Sequence, residues 1–291
     1  MRRNSFYLLT LIFALSVISC KDEDEKISAE QTSAVNDQSV AEAQFNDAND
    51  MSTAAFSAPS AADISGRTTN GKSITITVAG DTRFTGATVT LETVANNNPL
   101  NPQGTITIDF GAGKTDSNGN TRKGKIIVTY KGLRFVPTST MELTFAEYFV
   151  NGIKVEGKRT VTTTSLDNTG ISFGVKDVGG KVTFADGTFV TRDAVLTYKW
   201  QFGATAAANQ WIIEGTANGK TRDAKTYTFV INKALVFKVE CALAKNYAPA
   251  QGEVLLTVGI IPIKIDYGTG TCDNLVTVSV NGITQEITVT N

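Results

Sequence analysis

Alternation of apolar and polar residues at every second position, cut at short intervals by Asn-Gly and Asp-Gly pairs, constrains this chain more than any other feature. Ser73-Ile74-Thr75-Ile76-Thr77-Val78 alternates, as do residues 87–91, 105–110, 153–161, 182–184 and 277–280. A period of two puts successive side chains on opposite faces of a strand, and the β-branched residues filling these runs suit a half-buried pleated surface. Asn70-Gly71, Asn118-Gly119, Asn151-Gly152, Asp186-Gly187, Asn218-Gly219 and Asn281-Gly282 read as hairpin turns, because both residues tolerate positive φ, and Gly179-Gly180 adds another. No helix-length periodic run separates these strands, so consecutive hairpins are expected rather than βαβ units. The expected fold is all-β: a long antiparallel meander of roughly a dozen or more strands, curled into a sandwich, an open barrel or one extended twisted sheet, with a short N-terminal helix.

The first residues carry an address. Arg2 and Arg3 precede an almost wholly apolar block, Phe6 to Ile18, which ends in Val17-Ile18-Ser19-Cys20. That layout is a secretory signal, and the block is short for a membrane-spanning helix of about 20 residues. Val-Ile-Ser-Cys resembles the bacterial lipobox, which implies cleavage before Cys20 and acylation of its thiol. More than one acyl chain, at about 0.8 kcal/mol per buried CH₂, makes such an anchor stable. Lys21-Asp22-Glu23-Asp24-Glu25 follows at once. It resembles the acidic motif that follows the lipidated cysteine in surface-exposed lipoproteins of the Bacteroidota; otherwise it is a solvated spacer. The expected divisions are a signal peptide over 1–19, a lipidated acidic tether with a short helix over 20–62, and a β-rich domain over 63–291.

The tether reading rests on the Ala, Ser, Asn, Asp and Gln that dominate residues 27–62. Val40, Ala41, Gln44, Phe45, Ala48 and Met51 give a weak helical stripe, which predicts one short helix from Val40 to Met51. Ser39 would be its N-cap, and Phe45 would dock on the edge of the β domain. One internal echo is visible further on. Ile106-Thr107-Ile108-Asp109-Phe110-Gly111-Ala112-Gly113 matches Ile263-Lys264-Ile265-Asp266-Tyr267-Gly268-Thr269-Gly270. In each, the aspartate is placed to accept from loop N–H groups, and the glycines supply unusual φ.

Composition removes several kinds of chemistry. The chain has no histidine, which excludes Ser-His and Cys-His catalysis, histidine metal sites and histidine pH switching. Formal net charge is −1 and no basic stripe suggests nucleic acid. With Cys20 taken by lipid, Cys241 and Cys272 form an even pair in an oxidising compartment and read as a disulfide. Cys241 would end a strand over 235–240, and Cys272 would lie in the loop leading into the strand at Leu275.

Four stretches are distinctive together: Ile106–Gly111, Thr121–Tyr130, Tyr148–Gly157 and Asp266–Asn274. They look like a group of Bacteroidota lipoproteins built as a signal peptide, a short helix and a β-rich body. The resemblance spans most of the chain after Phe45. It implies an address and a fold class, and carries no activity. Where relatives have a cysteine in the first Gly-x-Gly loop, this chain has Gly113-Lys114-Thr115.

No stretch makes a convincing catalytic, metal or cofactor motif. Asp116-Ser117-Asn118-Gly119-Asn120 starts like a calcium loop, but the glycine is misplaced and Ile127 stands where a bidentate glutamate belongs. Gly111-Ala112-Gly113-Lys114-Thr115 ends like a phosphate loop without the helix whose amides would cradle the phosphate. Asp109, Glu142, Glu147, Glu156, Asp193 and Glu214 lie in strand-like runs, where a hydrolase would need two of them paired; single strand carboxylates mostly belong to a solvated face. Tyr198, Trp200, Phe202 and Trp211 cluster around a flexible link at 203–209 and are the candidate ligand contacts, with core packing as the plain alternative. The sequence therefore predicts a non-enzymatic, lipid-anchored protein of the outer membrane, at the cell surface or on the periplasmic face. It would bind a glycan, lipid or protein partner, need no cofactor, and contact no nucleic acid. A structural envelope role is the alternative, and a carboxylate-based hydrolase a more distant one.

Overall fold

A computed structural model describes residues 28–66, 70–244 and 246–288. Among them one antiparallel sheet of fifteen strands forms, and its order follows the chain. The strands are β1 Ser73–Ile76, β2 Thr88–Thr93, β3 Gln103–Asp109, β4 Lys114–Thr115, β5 Thr121–Lys131, β6 Thr140–Val150, β7 Ile153–Asp167, β8 Gly170–Thr183, β9 Phe189–Gln201, β10 Gln210–Lys220, β11 Thr226–Lys238, β12 Gln251–Val258, β13 Ile261–Thr269, β14 Leu275–Val280 and β15 Ile283–Thr288. Only β4 leaves the path, as a short arm on β5. The predicted meander is thus realised as a single open sheet, with β1 and β15 at its two edges.

Two of the predicted hairpins, Asn151-Gly152 and Asn281-Gly282, have both turn residues at positive φ; Asn70-Gly71 has the same backbone but leads into β1, the first strand, and so makes a turn without a hairpin. Two glycine pairs do other work. Asn218-Gly219 lies inside β10, and the turn falls later, at Thr221 to Lys225, with Ala224 at φ 60. Gly219 is required there by a close strand approach, because a Cβ would stand 1.9 Å from the Thr191 carbonyl oxygen. Gly179-Gly180 is a bulge within β8 rather than a turn, marked by the register shift between Asp177 and Gly180.

The sheet curls around a helix, α1 Ala29–Ser57, which touches β3, β5 to β9 and β12. At 29 residues it far exceeds the predicted Val40 to Met51. Ser28, not Ser39, is the N-cap. Its hydroxyl accepts from the Gln31 N–H while the Gln31 side chain accepts from the Ser28 N–H, completing a capping box. The Ser39 hydroxyl lies mid-helix and donates to the Val35 carbonyl. From Ala34 to Pro59 no residue is exposed, so this segment is the centre of the domain and not a tether. Ala34, Ala41, Ala48 and Ala55, seven residues apart, are all buried and let the sheet approach the helix. Phe45 does not dock on an edge. It is wholly buried, edge-on to Phe145 of β6 at 5.8 Å, and a Cβ at Gly180 would come within 2.9 Å of its Cζ. Enclosure explains the weak stripe: a helix wrapped on all sides has no solvent face to which polar residues could segregate.

A five-residue helix, α2 Val239–Leu243, joins β11 to β12 and carries Cys241, so that cysteine follows the strand instead of ending it. Cys272 lies in the β13–β14 loop, and the two form a disulfide with Cα atoms 5.1 Å apart. The internal echo is structural. Asp109 Oδ1 accepts from Gly111 N–H at 2.8 Å, and Asp266 Oδ1 accepts from Gly268 N–H at 2.9 Å. Each glycine is at positive φ.

Candidate functional site

The strand register builds an apolar wall. Ile171 of β8, Trp200 of β9 and Trp211 of β10 stand opposite one another in one cross-strand row, with Phe173, Tyr198 and Ile213 in the next. Both rows point toward α1 and line a cavity of about 460 Å³ between helix and sheet. Met141, Val161 and Val175, opposite one another on β6, β7 and β8, extend the wall. Tyr198, Trp200 and Trp211 are therefore brought together. Phe202 is not: β9 ends at Gln201, and Phe202 is 39% exposed outside the cavity. The rings do not stack flat. Trp200 and Trp211 are 4.9 Å apart and tilted by 45°, Phe173 is tilted by 42° to Trp211, and Tyr198 by 68°.

The opposite wall is helical and carries polar groups beside Ala54 and Phe56. Asn46, Asn49, Asp50, Thr53 and Ser57 line the cavity, at the spacing that shares one face of a helix. At the rim, the loop from Gly132 to Ser139 contributes Arg134 and Phe135. The Arg134 guanidinium packs 4.0 Å over the Phe135 ring and donates to the Ser57 hydroxyl; Phe135 meets Phe173 edge-on at 6.1 Å. This loop is backbone-strained, with Phe135 at φ 66 and the β-branched Thr138 at φ 76. It is pinned where Thr138 N–H donates to Thr163 O at 2.8 Å.

Behind the helical wall lies a buried ionic network. Arg159 gives Asp177 two hydrogen bonds, 2.6 Å to Oδ1 and 2.8 Å to Oδ2, and donates at 2.8 Å to Asn46 Oδ1, which also accepts from the Tyr198 hydroxyl at 3.2 Å. Arg192 Nε reaches Asp177 Oδ2 at 3.3 Å, while its Nη1 and Nη2 have no hydrogen-bond partner among the described residues. Desolvation opposes ionisation of Asp177, but Arg159 and then Arg192 outweigh it and hold the carboxyl below its ordinary range. Burial pushes the Tyr198 phenol up. A second network clamps the helix beside the cavity: Asp47 accepts from Arg83 and Arg122, each at 3.0 Å, Asp81 from Arg83 at 2.8 Å and Asp116 from Arg122 at 2.7 Å.

The other sequence candidates lie elsewhere. Asp109, Glu142, Glu147 and Glu156 form ion pairs with Lys125, Lys158 and Lys154, all with solvent-accessible side chains. Asp193 accepts from the Gly179 N–H, and Glu214 is exposed. Asp116 spends one oxygen on the Asn118 and Asn120 N–H groups and the other on Arg122, which closes a turn and leaves no calcium loop. Lys114-Thr115 is β4, with no helix behind it. No cluster of metal-ligating side chains occurs among the described residues. Cys20 and Lys21 to Glu25 lie outside the described residues. Sequence reasoning missed the helical wall, although the spacing of Asn46, Asn49, Asp50 and Thr53 was present. It also missed Met141, Val161 and Phe173, which look like ordinary inward strand positions.

An open meander wrapped on a central helix, with an aromatic-walled cavity between them, defines the class of architecture. Comparisons with protein-family models, with curated proteins and with solved structures found no match for the chain.

Proposed function

We propose that this chain is a lipid-anchored binding module of the bacterial outer membrane, displayed at the cell surface, whose cavity takes a small amphipathic molecule. The cavity itself carries the reading. A domain with a purely structural role gains nothing from an unfilled aromatic pocket, since empty space forfeits packing, and about 460 Å³ falls within the range of small-molecule sites. Carboxylates on the cavity wall favour binding over hydrolysis, because Asp81 is tied down by Arg83 at 2.8 Å.

Chain direction supports an outward-facing site. The N-terminal third of α1 lies near the β10–β11 turn, where the Arg222 N–H donates to Asp37. Its end lies near the β5–β6 loop, where Arg134 donates to Ser57. In an alternating meander those two connections fall at opposite ends of the sheet. Twenty-nine helical residues separate the ends, roughly 43 Å at about 1.5 Å per residue. A lipid on Cys20 would tether the far end, leaving the cavity rim turned away from the membrane that holds the protein.

Trp200 and Trp211 are the only tryptophans in the chain, so indole fluorescence reports on this wall alone. The test is titration of the full chain in nanodiscs with 1-anilinonaphthalene-8-sulfonate, with empty nanodiscs subtracted. Saturable energy transfer from tryptophan, abolished by filling the cavity with Val161→Phe or Ile213→Phe in a folded variant, is the expected result. Transfer that never saturates, or that survives the filling variants, refutes the reading.

A further inference from the structure

We infer that the end of the sheet at which the cavity opens is a docking surface for a zwitterionic lipid bilayer facing the cell, the source of the amphipathic molecule; this rests on the cavity being a binding site, as proposed above. Three observations carry it. The first is where apolar side chains are exposed. Six connections lie at that end of the meander: β2–β3, β5–β6, β7–β8, β9–β10, β11–β12 and β13–β14. Each exposes a large apolar side chain, within it or at the strand end beside it: in order Leu100, Val136, Leu166, Phe202, Leu243 and Leu275. Leu100 is 84% exposed and Leu243, the last residue of α2, 66%. Elsewhere on the described surface such residues stand singly, with Phe189 and Ile260 at the opposite end and Val178 and Val195 within β8 and β9. Single exposed apolar residues are ordinary, whereas a cluster of them marks an interaction site.

The second is the chemistry between those tips. The β2–β3 and β9–β10 connections, residues 94–102 and 202–209, contain no ionisable side chain, while the 221–225 turn at the opposite end holds Arg222, Asp223 and Lys225. Uncharged loops enter a headgroup layer without stripping water from ions, and they gain nothing from anionic lipid. The tips are also spread over separate loops. A protein interface packs a contiguous apolar core. A fluid bilayer instead conforms to each tip and buries it about 5–10 Å into the headgroup boundary.

The third is continuity with the cavity. Val136 follows Phe135, whose ring meets Phe173 of the cavity wall at 6.1 Å. Phe202 follows the end of β9, which carries Trp200 of the same wall. An amphipathic molecule leaving a bilayer at this rim reaches the aromatic rings without carrying its apolar part through water. The anchoring membrane is not the donor, because the rim is turned away from it. The bilayer is therefore one in trans.

The test is co-sedimentation of the full chain, carried in nanodiscs, with sucrose-loaded phosphatidylcholine vesicles, empty nanodiscs being subtracted. Leu100→Asp combined with Leu243→Asp should lower the bound fraction at least about tenfold, with thermal melts unchanged because both positions are exposed. Val178→Asp combined with Val195→Asp adds the same charge away from the rim and should change it less than about twofold. Raising salt to about 0.5 M should leave wild-type binding intact, since the contact is apolar. No binding of the wild type, equal loss in both double variants, or loss in neither overturns the docking surface. So does binding that needs phosphatidylglycerol and fades with salt. Nanodiscs that pair through the protein without vesicles, and stop pairing in the rim variant, assign the rim to a second copy of the chain and overturn it too. Titration of the same samples with 1-anilinonaphthalene-8-sulfonate separates the two readings. Saturable transfer without vesicle binding leaves the binding module standing alone; vesicle binding without saturation keeps the docking surface and removes the module.

Discussion

Asp177→Asn is the sharpest test of how the domain tolerates charge in its interior. The substitution keeps the shape of the side chain and removes the one carboxylate to which both Arg159 and Arg192 are hydrogen-bonded, with Arg159, Arg192 and Asp177 each 1% exposed or less. Arg159 loses a bidentate acceptor, and Arg192 loses the hydrogen bond from its Nε. Breaking a buried pair from one side costs about 3–5 kcal/mol, since the charge left behind is neither solvated nor paired. For a domain of this size that lowers Tm by about 6–20 °C. Thermal melts followed by far-ultraviolet circular dichroism measure it. Glu142→Gln is the control: it breaks the pair with Lys158, whose partners are more than 40% exposed, and such pairs are worth about 0–1 kcal/mol. The pH dependence carries a second signature. Asp177 is held below its ordinary 3.8 because Arg159 and Arg192 outweigh desolvation. A carboxylate with a lowered folded-state pKa stabilises the fold at every pH above its unfolded value, and that contribution disappears as pH falls through the folded value. The gap between wild type and variant should therefore be flat from neutrality to about pH 5 and narrow only below about pH 4. A loss smaller than about 3 °C, or a gap that closes between pH 5 and 7, refutes the reasoning.

Three further outcomes are expected. Replacing Cys241 and Cys272 together by serine removes a bridge across a sequence separation of 31 and should cost about 3–4 kcal/mol on the chain-entropy model, read by urea unfolding of the purified protein with and without reductant. Cys20→Ser should abolish labelling by a clickable fatty acid and move the protein out of the membrane fraction; retained label would show that the lipobox resemblance misleads. Replacing Asp22, Glu23, Asp24 and Glu25 by alanine should hide the β domain from added protease on intact cells with lipidation unchanged, whereas equal surface cleavage would leave the acidic run as a spacer.

The sheet was legible because its signals are local. Strand alternation and turn dipeptides depend on a few neighbouring residues, and a meander joins neighbours in sequence to neighbours in space, so the sequential strand order could be anticipated although not every strand was placed. The misplacements occurred where a glycine answers to a distant atom. Gly219 is glycine because the Thr191 carbonyl is close, and Gly180 because Arg192 O and the Phe45 ring are. Neither neighbour lies near enough in sequence to be read, so both pairs looked like turns. Three of the four ring positions, Tyr198, Trp200 and Trp211, were legible as a cluster for the opposite reason: Trp200 and Trp211 flank one short connection and pair directly across it.

The helix and the cavity were hidden by one physical cause. Sequence reading finds buried helices by an apolar stripe, on the assumption that the interior is apolar. Here the inner face of the sheet itself carries Arg122, Arg159, Asp177 and Arg192, all buried. A helix packed on such a face must bring its own polar groups, and α1 does: Asp47 for Arg83 and Arg122, Asn46 for Arg159 and Tyr198, Asp37 for the Arg222 N–H. These are the residues that made positions 27–62 read as a tether. Composition alone cannot separate a solvated linker from a helix whose polar residues are matched one by one from an enclosing sheet. Asn46, Asn49, Asp50, Thr53 and Ser57 of the same helix also line the cavity, so polar groups that disguised the helix form part of one cavity wall.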